Sequence, residues 1–371
     1  MNICIVFSTR PEIIKLSPVI KKLKENNSKY YLINTNQHTL RKMSKVFLDF
    51  FKIDGKIYNI KPIKRSQSNF LSNAIKEIDK IIKKEKPNFL VVQGDTNTSL
   101  AGCLAASLIN RNLSFKKKIK IVHIESGLRS FDNNMPEEIN RKIIDQLSDI
   151  LFVPTKFDLN NLKKENCLDD KKTFVVGNTI SDVLKKNIPI ADKEKILEEF
   201  ELKTKDFFLV TVHRPESVDI KKNLLMLIKI FNFLVKKYNK LIIFPIHPRT
   251  KDKIKKIDIN IDDRIKIIEP LEYLSFLKLM KESKIILTDS GGIQEEAAII
   301  GVPCITLRTS TERQITLQKK INILTGYNKK KIIAAVQKFE KINISKIKDF
   351  GLGHVADKIY QKLLKISKYH T

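Results

Sequence analysis

Short apolar runs alternate with longer amphipathic stretches along the chain, and this pattern predicts strands that are each followed by a helix. A first series of apolar runs predicts strands at 3–7, 30–33, 89–92, 119–123, 150–153 and 173–176. A second series predicts strands at 207–212, 241–246, 265–268, 285–287 and 304–307. Such alternation is typical of parallel sheets with helices on both faces, so the predicted fold class is α/β with two Rossmann-like, doubly wound domains.

The two series of strands also suggest where one domain ends and the next begins. The chain has 371 residues, which is enough for two domains. We interpret 187–192, which contains Pro189, as a linker, and 191–202 as a helix that opens the second domain. The predicted ranges are 1–186 for the N-terminal domain, 187–353 for the C-terminal domain and 354–371 for a final helical segment. We expect a ligand to bind in the cleft between the domains, at the carboxyl ends of the strands.

Composition narrows the class of protein. The chain has 70 Lys and Arg against 41 Asp and Glu, a formal net charge of +29. The lysines are spread over almost every helical stretch with few aromatic residues among them, so we favour a composition bias on solvated faces over nucleic-acid binding. The four cysteines lack metal-ligand spacing and are typical of reduced thiols in a cytoplasmic protein. We expect no secretory signal and no membrane span.

The stretch 285–301 predicts a strand, a Gly-Gly turn and a helix. This geometry points backbone N–H groups and the positive end of a helix dipole at an anion. Gly291 and Gly292 would let a phosphate approach the backbone without meeting a Cβ atom. Glu295 and Glu296 follow in the first turns of the helix, where a carboxylate could accept hydrogen bonds from a ribose diol. We interpret the stretch as a diphosphate and ribose site, with an ordinary capped turn as the alternative.

Charged side chains follow several strands of the first series. Arg10 and Lys15 lie near a predicted helix N-terminus, where the dipole disfavours cations, so they indicate either a bound anion or two surface cations. Asp95 follows the strand at 89–92 and could face the cleft or cap the next helix. Glu125 follows the strand at 119–123 in the motif HIESGLRS.

A helix predicted to begin at Pro136 carries more charged groups. Glu137 and Arg141 lie four residues apart and so share a helix face, which also suits a plain surface ion pair. Asp145 and Asp149 continue the spacing and favour an extended charged network.

Two histidines end equivalent strands of the second series. His213 follows the strand at 207–212, and His247 follows the strand at 241–246. A lone histidine is more often structural, but two on the same rim make a functional role equally plausible.

Taken together, these motifs resemble the non-hydrolysing UDP-N-acetylglucosamine 2-epimerases. The resemblance rests on TRPE at 9–12, GDTNTSLAG at 94–102, HIESGLRS at 123–130, PEEINR at 136–141, GNTISD at 177–182, HRPE at 213–216, DSGGIQEE at 289–296 and TER at 311–313. It implies a glycosyltransferase-B type fold with the active site in the interdomain cleft, and a C-terminal helix that returns to the first domain. It also implies a UDP-hexosamine substrate, a homodimer, and no metal or other cofactor.

The resemblance assigns roles residue by residue. The implied acid/base carboxylates are Asp95, Glu125 and Glu137, with Lys15 and Arg141 as their partners and His213 near the phosphates or sugar. The implied substrate and UDP contacts are Arg10, His247, Phe276, Ser290, Gly291, Gly292, Glu296 and Arg313. The chain departs from the usual family residues at Ser8, Ser217, Arg249 and Gln314.

The implied reaction interconverts UDP-N-acetylglucosamine and UDP-N-acetylmannosamine, for cell-surface polysaccharide precursors. UDP would be eliminated to leave a 2-acetamidoglucal, and would then be added back after reprotonation on the other face. A 2,3-diacetamido sugar remains an alternative substrate. The alternatives for the protein are a glycosyltransferase of the same architecture, a hydrolysing epimerase and a basic nucleic-acid-binding protein.

Overall fold

The computed structural model describes residues 1–37, 41–61, 63, 66–112, 118–257, 259–342 and 344–368, without the side chains of 41–45. The chain divides into two compact units. The first unit comprises Met1–Val183 with Asp349–Thr371, and the second comprises Leu184–Lys348. Among the described residues, no helix has the length and apolar character needed to cross a membrane.

A parallel sheet forms the centre of the first unit. Its strands, among the described residues, are β1 (Asn2–Phe7), β2 (Lys29–Asn34), β3 (Lys56–Asn59), β4 (Phe89–Gln93), β5 (Lys120–Ile124), β6 (Ile150–Val153) and β7 (Lys172–Val175). They are ordered β3-β2-β1-β4-β5-β6-β7, and all neighbours run parallel. The order reverses direction between β1 and β4, which is where open α/β sheets bind ligands.

The second unit repeats this architecture. Its described strands are β8 (Phe207–Thr211), β9 (Leu241–Pro245), β10 (Ile265–Ile268), β11 (Ile285–Thr288), β12 (Cys304–Thr306) and β13 (Asn322–Leu324). The order is β10-β9-β8-β11-β12-β13, again with parallel neighbours. Strand β8 is buried along its whole length because helices cover both faces of the sheet, so it reads as a continuous apolar run.

Helices connect the strands in both units. Those described are α1 (Arg10–Glu25), α2 (Arg41–Phe50), α3 (Gln67–Glu85), α4 (Asn97–Asn110), α5 (Pro136–Leu147), α6 (Lys156–Lys164), α7 (Ile180–Ala191), α8 (Ile196–Glu199), α9 (Pro215–Val218), α10 (Lys221–Tyr238), α11 (Pro248–Ile254), α12 (Tyr273–Glu282), α13 (Gly291–Ile300), α14 (Gln314–Gln318), α15 (Lys329–Glu340) and α16 (Val355–Lys368). Alternating strands and helices confirm the predicted α/β class.

The eleven predicted strands are confirmed, each within one residue of its expected ends, but two strands were missed. Strand β3 is half exposed at a sheet edge, and β13 has only three residues, so neither produces a long apolar run. The linker predicted at 187–192 is wrong over most of its length, because α7 continues through Pro189 to Ala191. The helix predicted at 191–202 is reduced to the four residues of α8.

The motif GNTISD anchors the C-terminal helix within the first unit. Gly177 has φ +104°, and a Cβ atom there would lie 2.7 Å from the carbonyl oxygen of Phe350. The carboxylate of Asp182 accepts hydrogen bonds from the backbone N–H groups of Val355 and Ala356 at 3.0 and 3.2 Å, and so caps α16. Helix α16 packs against α1. Residues 369–371 of the predicted final segment lie outside the described residues.

Candidate active site

Glu125 lies directly after β5 and forms a buried ion pair with Lys15 of α1. The Nζ atom of Lys15 is 2.9 Å from Oε1 and 2.7 Å from Oε2 of Glu125. The side-chain amide of Gln93, at the end of β4, donates to the same carboxylate. Glu125 has φ +78°, a conformation rare for a residue with a side chain and common at functional sites. The strained turn therefore holds the carboxylate where Lys15 and Gln93 can reach it.

Asp95 forms a second ion pair at the neighbouring strand end. Its Oδ2 atom lies 2.5 Å from Nη2 of Arg141, which projects from α5. The backbone carbonyl of Asp95 also accepts a hydrogen bond of 2.9 Å from the side chain of Asn140. Thr96, rather than Asp95, caps α4. The carboxylate of Asp95 is thus oriented from α5, and its side chain keeps 27% exposure.

Glu138, which sequence reasoning missed, is the second partner of Arg141. Its Oε2 atom lies 2.6 Å from Nη1 of Arg141 and also accepts from the backbone and hydroxyl of Ser130 at 2.9 Å. Burial raises the pKa of the Glu138 carboxyl, but the hydrogen bonds from Ser130 and the charge of Arg141 outweigh it, so the pKa is lowered. Glu138 is therefore an ionised structural group that holds Arg141.

Glu137 is placed differently from the sequence expectation. It lies in the first turn of α5 and is partly exposed, and the structure pairs Arg141 with Asp95 and Glu138 instead. The predicted extension of this charged network is confirmed for Asp145, which pairs with His123 and Arg129, and is wrong for Asp149. Asp145 is buried against His123, and Asp149 lies beyond the end of α5. Spacing alone could not separate these partners, because positions three and four residues apart share a helix face equally well.

Glu12 is a further buried carboxylate that the sequence reasoning did not single out. Its Oε2 atom accepts from the backbone N–H groups of Ser8 and Thr9 at 2.9 and 2.6 Å, and its Oε1 accepts from the hydroxyl of Thr96 at 2.6 Å. Burial raises the pKa of the Glu12 carboxyl although these hydrogen bonds oppose the shift. The side chain ties the turn after β1 to the turn after β4, and the capping pattern from Thr9 to Glu12 was its signal in the sequence.

In the second unit the two predicted histidines lie side by side. The ring centroids of His213 and His247 are 5.7 Å apart. Burial lowers the pKa of His247, and the nearby charges of His213 and Arg249 lower it further. This confirms that the ends of β8 and β9 bring both imidazoles to one edge of the sheet.

Asp289 orients His213. Its Oδ1 atom lies 3.2 Å from Nδ1 of His213, and its Oδ2 accepts from the backbone N–H groups of His213 and Arg214 at 2.9 and 2.8 Å. Burial raises the pKa of the Asp289 carboxyl, but the hydrogen bond and charge of His213 outweigh it and the pKa is lowered. The other ring nitrogen of His213 can then face a ligand, since this side chain is 41% exposed.

The N-terminus of α13 is the predicted anion site, and its two glycines differ. Ser290 is the N-cap residue of α13. A Cβ atom at Gly291 would collide with the carboxylate of Glu312, so this glycine makes room for a protein side chain rather than for a phosphate. A Cβ atom at Gly292 would have no described atom within 4 Å. Gly292 is therefore the glycine that a ligand could approach closely.

The acidic side chains of α13 have protein partners in this structure. Glu295 is fully buried, and its Oε1 atom lies 2.7 Å from Nε of Arg313. Glu296 accepts from the hydroxyl of Tyr273 at 3.4 Å, a weak contact from α12. Phe276, one turn further along α12, is half-buried. Of the two carboxylates, only Glu296 is suited to a ribose diol, because Glu295 neutralises the guanidinium of Arg313.

Arg10 lies in the first unit at the start of α1. Its guanidinium stacks over the ring of Phe47, 4.4 Å from the centroid, and this contact stabilises a cation near a helix N-terminus.

The residues that depart from the family pattern have ordinary contacts. Ser8 accepts from the backbone N–H of Gln37 at 2.6 Å, and Ser217 lies 3.1 Å from the hydroxyl of Tyr327. Arg249 pairs with Asp219 at 2.5 Å, and Gln314 donates to the carbonyl of Thr311 at 2.7 Å.

Comparison with known proteins gives a consistent result. A family model described as UDP-N-acetylglucosamine 2-epimerase matches residues 21–364. The chain is 44% identical to the UDP-N-acetylglucosamine 2-epimerase of Methanocaldococcus jannaschii, over the whole of both chains. It is 33% identical to the UDP-2,3-diacetamido-2,3-dideoxy-D-glucuronate 2-epimerase of Pseudomonas aeruginosa, over 99% of this chain and all of that one.

A crystal structure of the M. jannaschii UDP-GlcNAc 2-epimerase in complex with UDP-GlcNAc and UDP matches with a TM-score of 0.88, over 98% of this chain and all of that one. This agreement confirms the predicted class of two Rossmann-like domains of the glycosyltransferase-B type. From the family match, the full-length identity and the shared fold, we conclude that the chain belongs to the UDP-N-acetylglucosamine 2-epimerase family.

Proposed function

We propose that the protein is a non-hydrolysing 2-epimerase that interconverts UDP-N-acetylglucosamine and UDP-N-acetylmannosamine. The observation that carries the proposal is the buried Lys15–Glu125 ion pair beside the Asp95–Arg141 pair, at the ends of adjacent strands β5 and β4. Two oriented carboxylates suit a reaction in which a proton leaves one face of a carbon and returns to the other.

The reaction follows from the acidity of the sugar. The C2 hydrogen is not next to a carbonyl group, so direct deprotonation is too costly. In the proposed reaction the C1–O bond to UDP breaks with its electron pair on UDP, and the positive charge that builds at C1 makes the C2 hydrogen acidic. A carboxylate removes this proton, and the C–H electron pair forms the C1–C2 double bond. UDP oxygen then attacks C1 of the bound 2-acetamidoglucal while C2 takes a proton on its other face. The candidates for the two proton transfers are Asp95, Glu125 and Glu137.

The second unit supplies the groups suited to the nucleotide. The N-terminus of α13 at Gly292 offers backbone N–H groups and a helix dipole to the departing diphosphate. His213, held by Asp289, can add positive charge, and Glu296 can accept from the ribose. Arg313, whose charge Glu295 offsets, would contribute N–H donors. Phe276, His247 and Ser290 complete the proposed binding set in this unit, and Arg10 of the first unit is added to it. Water must be excluded from the bound glucal, because water at C1 would convert epimerisation into hydrolysis.

The test is NMR of UDP-N-acetylglucosamine incubated with the enzyme in D2O. We expect deuterium at C2, an equilibrium mixture of two intact UDP-sugars, and no free hexosamine. The Glu125→Gln variant should lose about 10²- to 10⁴-fold in the rate of C2 exchange, the range typical of a positioned acid or base. A matched control is Glu77→Gln, which neutralises an exposed carboxylate paired with Lys80 and should leave the rate unchanged.

Four results would contradict the proposal. Free N-acetylmannosamine and UDP would indicate a hydrolysing epimerase, and transfer of sugar to an added acceptor would indicate a glycosyltransferase. Exchange only with UDP-2,3-diacetamido-2,3-dideoxy-D-glucuronate would keep the reaction but change the substrate, as the similarity to the P. aeruginosa enzyme suggests. An enzyme that exchanges neither compound would refute the reaction class.

We further propose that the enzyme acts as a homodimer and supplies precursors for a cell-surface polysaccharide. Both proposals rest on the family resemblance. Light scattering of the purified protein tests the dimer: a mass of about 86 kDa, twice the 42.9 kDa chain, is expected, and a mass equal to one chain would contradict it.

A further inference from the structure

His123 of β5 lies two residues before Glu125, and the proposed reaction does not use it. Its ring is buried, with 1% exposure. The Nδ1 atom lies 2.7 Å from Oδ1 of Asp145 in α5, and the Nε2 atom lies 2.9 Å from the backbone carbonyl oxygen of Gly94. Both ring nitrogens thus face oxygen atoms within hydrogen-bond distance.

These two partners determine where the ring hydrogens lie. A carbonyl oxygen can only accept a hydrogen bond, so Nε2 must donate to Gly94. An ionised carboxylate can also only accept, so Nδ1 must donate to Asp145 as well. A histidine that donates from both nitrogens is an imidazolium. The alternative is a neutral ring whose Nδ1 atom accepts a hydrogen bond from the protonated carboxyl group of Asp145.

The surroundings of Asp145 exclude that alternative. Its Oδ2 atom lies 2.8 Å from Nη1 of the fully buried Arg129, and it also accepts from the backbone N–H of Gly127 at 3.2 Å. A guanidinium is always charged, so Oδ2 accepts from a cation and from an N–H group, and these two donors favour the ionised carboxylate whatever the state of His123. Asp145 is therefore ionised.

The charges around His123 balance as a group, and three of the four are buried, whereas Glu165 is 30% exposed. Arg129 also pairs with Glu165, at 2.6 Å between Nη2 and Oε2. Two cations, His123 and Arg129, are thus set against two carboxylates, Asp145 and Glu165. This balance lets an imidazolium persist away from solvent, since a buried charge is stable only when it is paired and hydrogen-bonded.

We propose that His123 is a positioning imidazolium that locks together the two turns carrying Asp95 and Glu125. Its Nε2–H holds the carbonyl of Gly94, the residue before Asp95. The N–H of Gly94 in turn donates to the carbonyl of Ile124, the residue before Glu125, at 3.0 Å. Asp145 anchors the ring to α5 and also binds the N–H of Gly127 beyond Glu125. The role rests on the proposed epimerase reaction, whereas the protonation state of the ring does not.

The contacts of His123 and Asp145 with the backbone of Gly94 and Gly127 account for the strained backbone at Glu125. A residue at φ +78° persists only where the surrounding contacts hold it, and here Gly94, Gly127 and the ring of His123 flank it on both sides. Loss of the imidazolium would let both carboxylate turns relax. Displacements of about 1 Å in a catalytic group cost about 10²-fold in rate, so we expect an effect on turnover without contact between His123 and the substrate.

Nitrogen-15 NMR of the ring tests the protonation state directly. Uniformly labelled wild-type protein at pH 7.5 is compared with His123→Gln, which assigns the His123 resonances by their loss. We expect both ring nitrogens of His123 to carry hydrogen. A spectrum with one protonated and one bare ring nitrogen would overturn the proposal, whatever reaction the protein performs.

Kinetics test the positioning role. His123→Gln is expected to lower kcat for C2 exchange by about 10- to 100-fold. KM and the affinity for UDP should stay within about twofold, because the proposed nucleotide groups, apart from Arg10, belong to the second unit. The matched control is His354→Gln, which changes an exposed histidine. Unchanged kcat in a folded His123→Gln protein would overturn the role.

A second variant tests the same role if the His123→Gln protein does not fold. Asp145→Asn keeps an acceptor for Nδ1–H but removes the charge that stabilises the imidazolium. It should lower kcat and convert His123 to a neutral ring in the NMR spectrum. An Asp145→Asn protein with wild-type kcat and a neutral ring would refute the positioning role. If the wild type showed no C2 exchange at all, the proposed reaction would fail while the NMR result on His123 would still stand.

Discussion

The charged groups at the strand ends of the two units are held in different ways. In the first unit the carboxylates of Glu125 and Asp95 are already paired with Lys15 and Arg141. In the second unit His213 is 41% exposed, and Gly292 has no described atom near its missing Cβ. The first cluster is organised before any ligand binds, and the second presents a histidine and a helix terminus to solution.

Proton transfer and nucleotide binding place different demands on the two units. A proton-transfer group must be placed within a fraction of an ångström, so buried ion pairs and a strained turn are suited to it. A diphosphate is recognised by backbone N–H groups and a helix dipole, which need room for the ligand more than they need paired side chains. Three predictions test whether the two units differ in this way.

The largest expected effect on stability comes from removing Lys15, the cation that is paired with Glu125. Lys15→Met leaves a buried carboxylate without its charge partner, which typically costs about 3–5 kcal/mol of unfolding free energy. The measurement is denaturant unfolding, together with hydrogen exchange of peptides from β1 and β5. The double variant Lys15→Met/Glu125→Gln should recover part of the loss, because no isolated charge then remains.

The matched control removes an exposed partner. Lys80→Met breaks the surface pair with Glu77 and should change stability by less than about 1 kcal/mol. A Lys15→Met protein as stable as this control would show that the pair in the first unit is not buried in solution.

The second prediction separates the two glycines of α13. Gly291→Ala should lower the unfolding free energy by about 1–3 kcal/mol, because its Cβ atom displaces the buried carboxylate of Glu312. Gly292→Ala should leave stability unchanged or raise it by up to about 1 kcal/mol, since alanine favours a helix.

The Gly292→Ala variant should bind UDP more weakly although its stability is unchanged or raised. Its new methyl group faces the proposed phosphate, so we expect UDP to bind about tenfold more weakly, or 1.4 kcal/mol. Calorimetric titration with UDP measures this. Wild-type affinity in Gly292→Ala would mean that no ligand approaches the helix there.

The smallest effect concerns acid stability in the first unit. The pKa of Glu138 is lowered in the folded protein from its ordinary value of 4.5, so the unfolded chain binds its proton more readily. Its contribution is present above pH 4.5 and is lost as the pH falls through the folded pKa. Glu138→Gln should therefore lose less stability than wild type between pH 5 and about pH 3. Urea titrations across this range measure it, and equal slopes would contradict the assignment.

Strands were the most predictable feature of the molecule. Parallel strands buried on both faces must be apolar throughout, so runs such as that of β8 are visible without a structure. The edge strand β3 is half exposed and lacks this constraint, which is why it was missed. Pro189 suggested a linker because proline removes a helix hydrogen bond, yet α7 accommodates it near its C-terminal end.

The candidate site was predictable in its residues, and the implied partners Lys15 and Arg141 are confirmed, but the sequence did not assign each of them to a particular carboxylate. The strand-end motifs pointed to Asp95, Glu125, His213 and His247, because the carboxyl ends of parallel strands meet at one edge. The choice of Glu138 over Glu137 as the partner of Arg141 depends on which side of α5 faces the sheet. The sequence analysis paired Arg141 with Glu137 alone, although Glu138, three residues before Arg141, satisfies helix spacing equally well.

The amino-acid sequence by itself determined the alternation of strand and helix, the two Rossmann-like sheets and the set of polar residues at the strand ends. These features are local: they follow from apolar periodicity, capping residues and glycine positions. Only the tertiary structure decided that Gly291 makes room for Glu312, that Asp145 binds His123, and that Arg141 holds Asp95. Such pairings join residues that are distant along the chain, and burial, which spacing does not encode, selects among partners that are chemically equivalent.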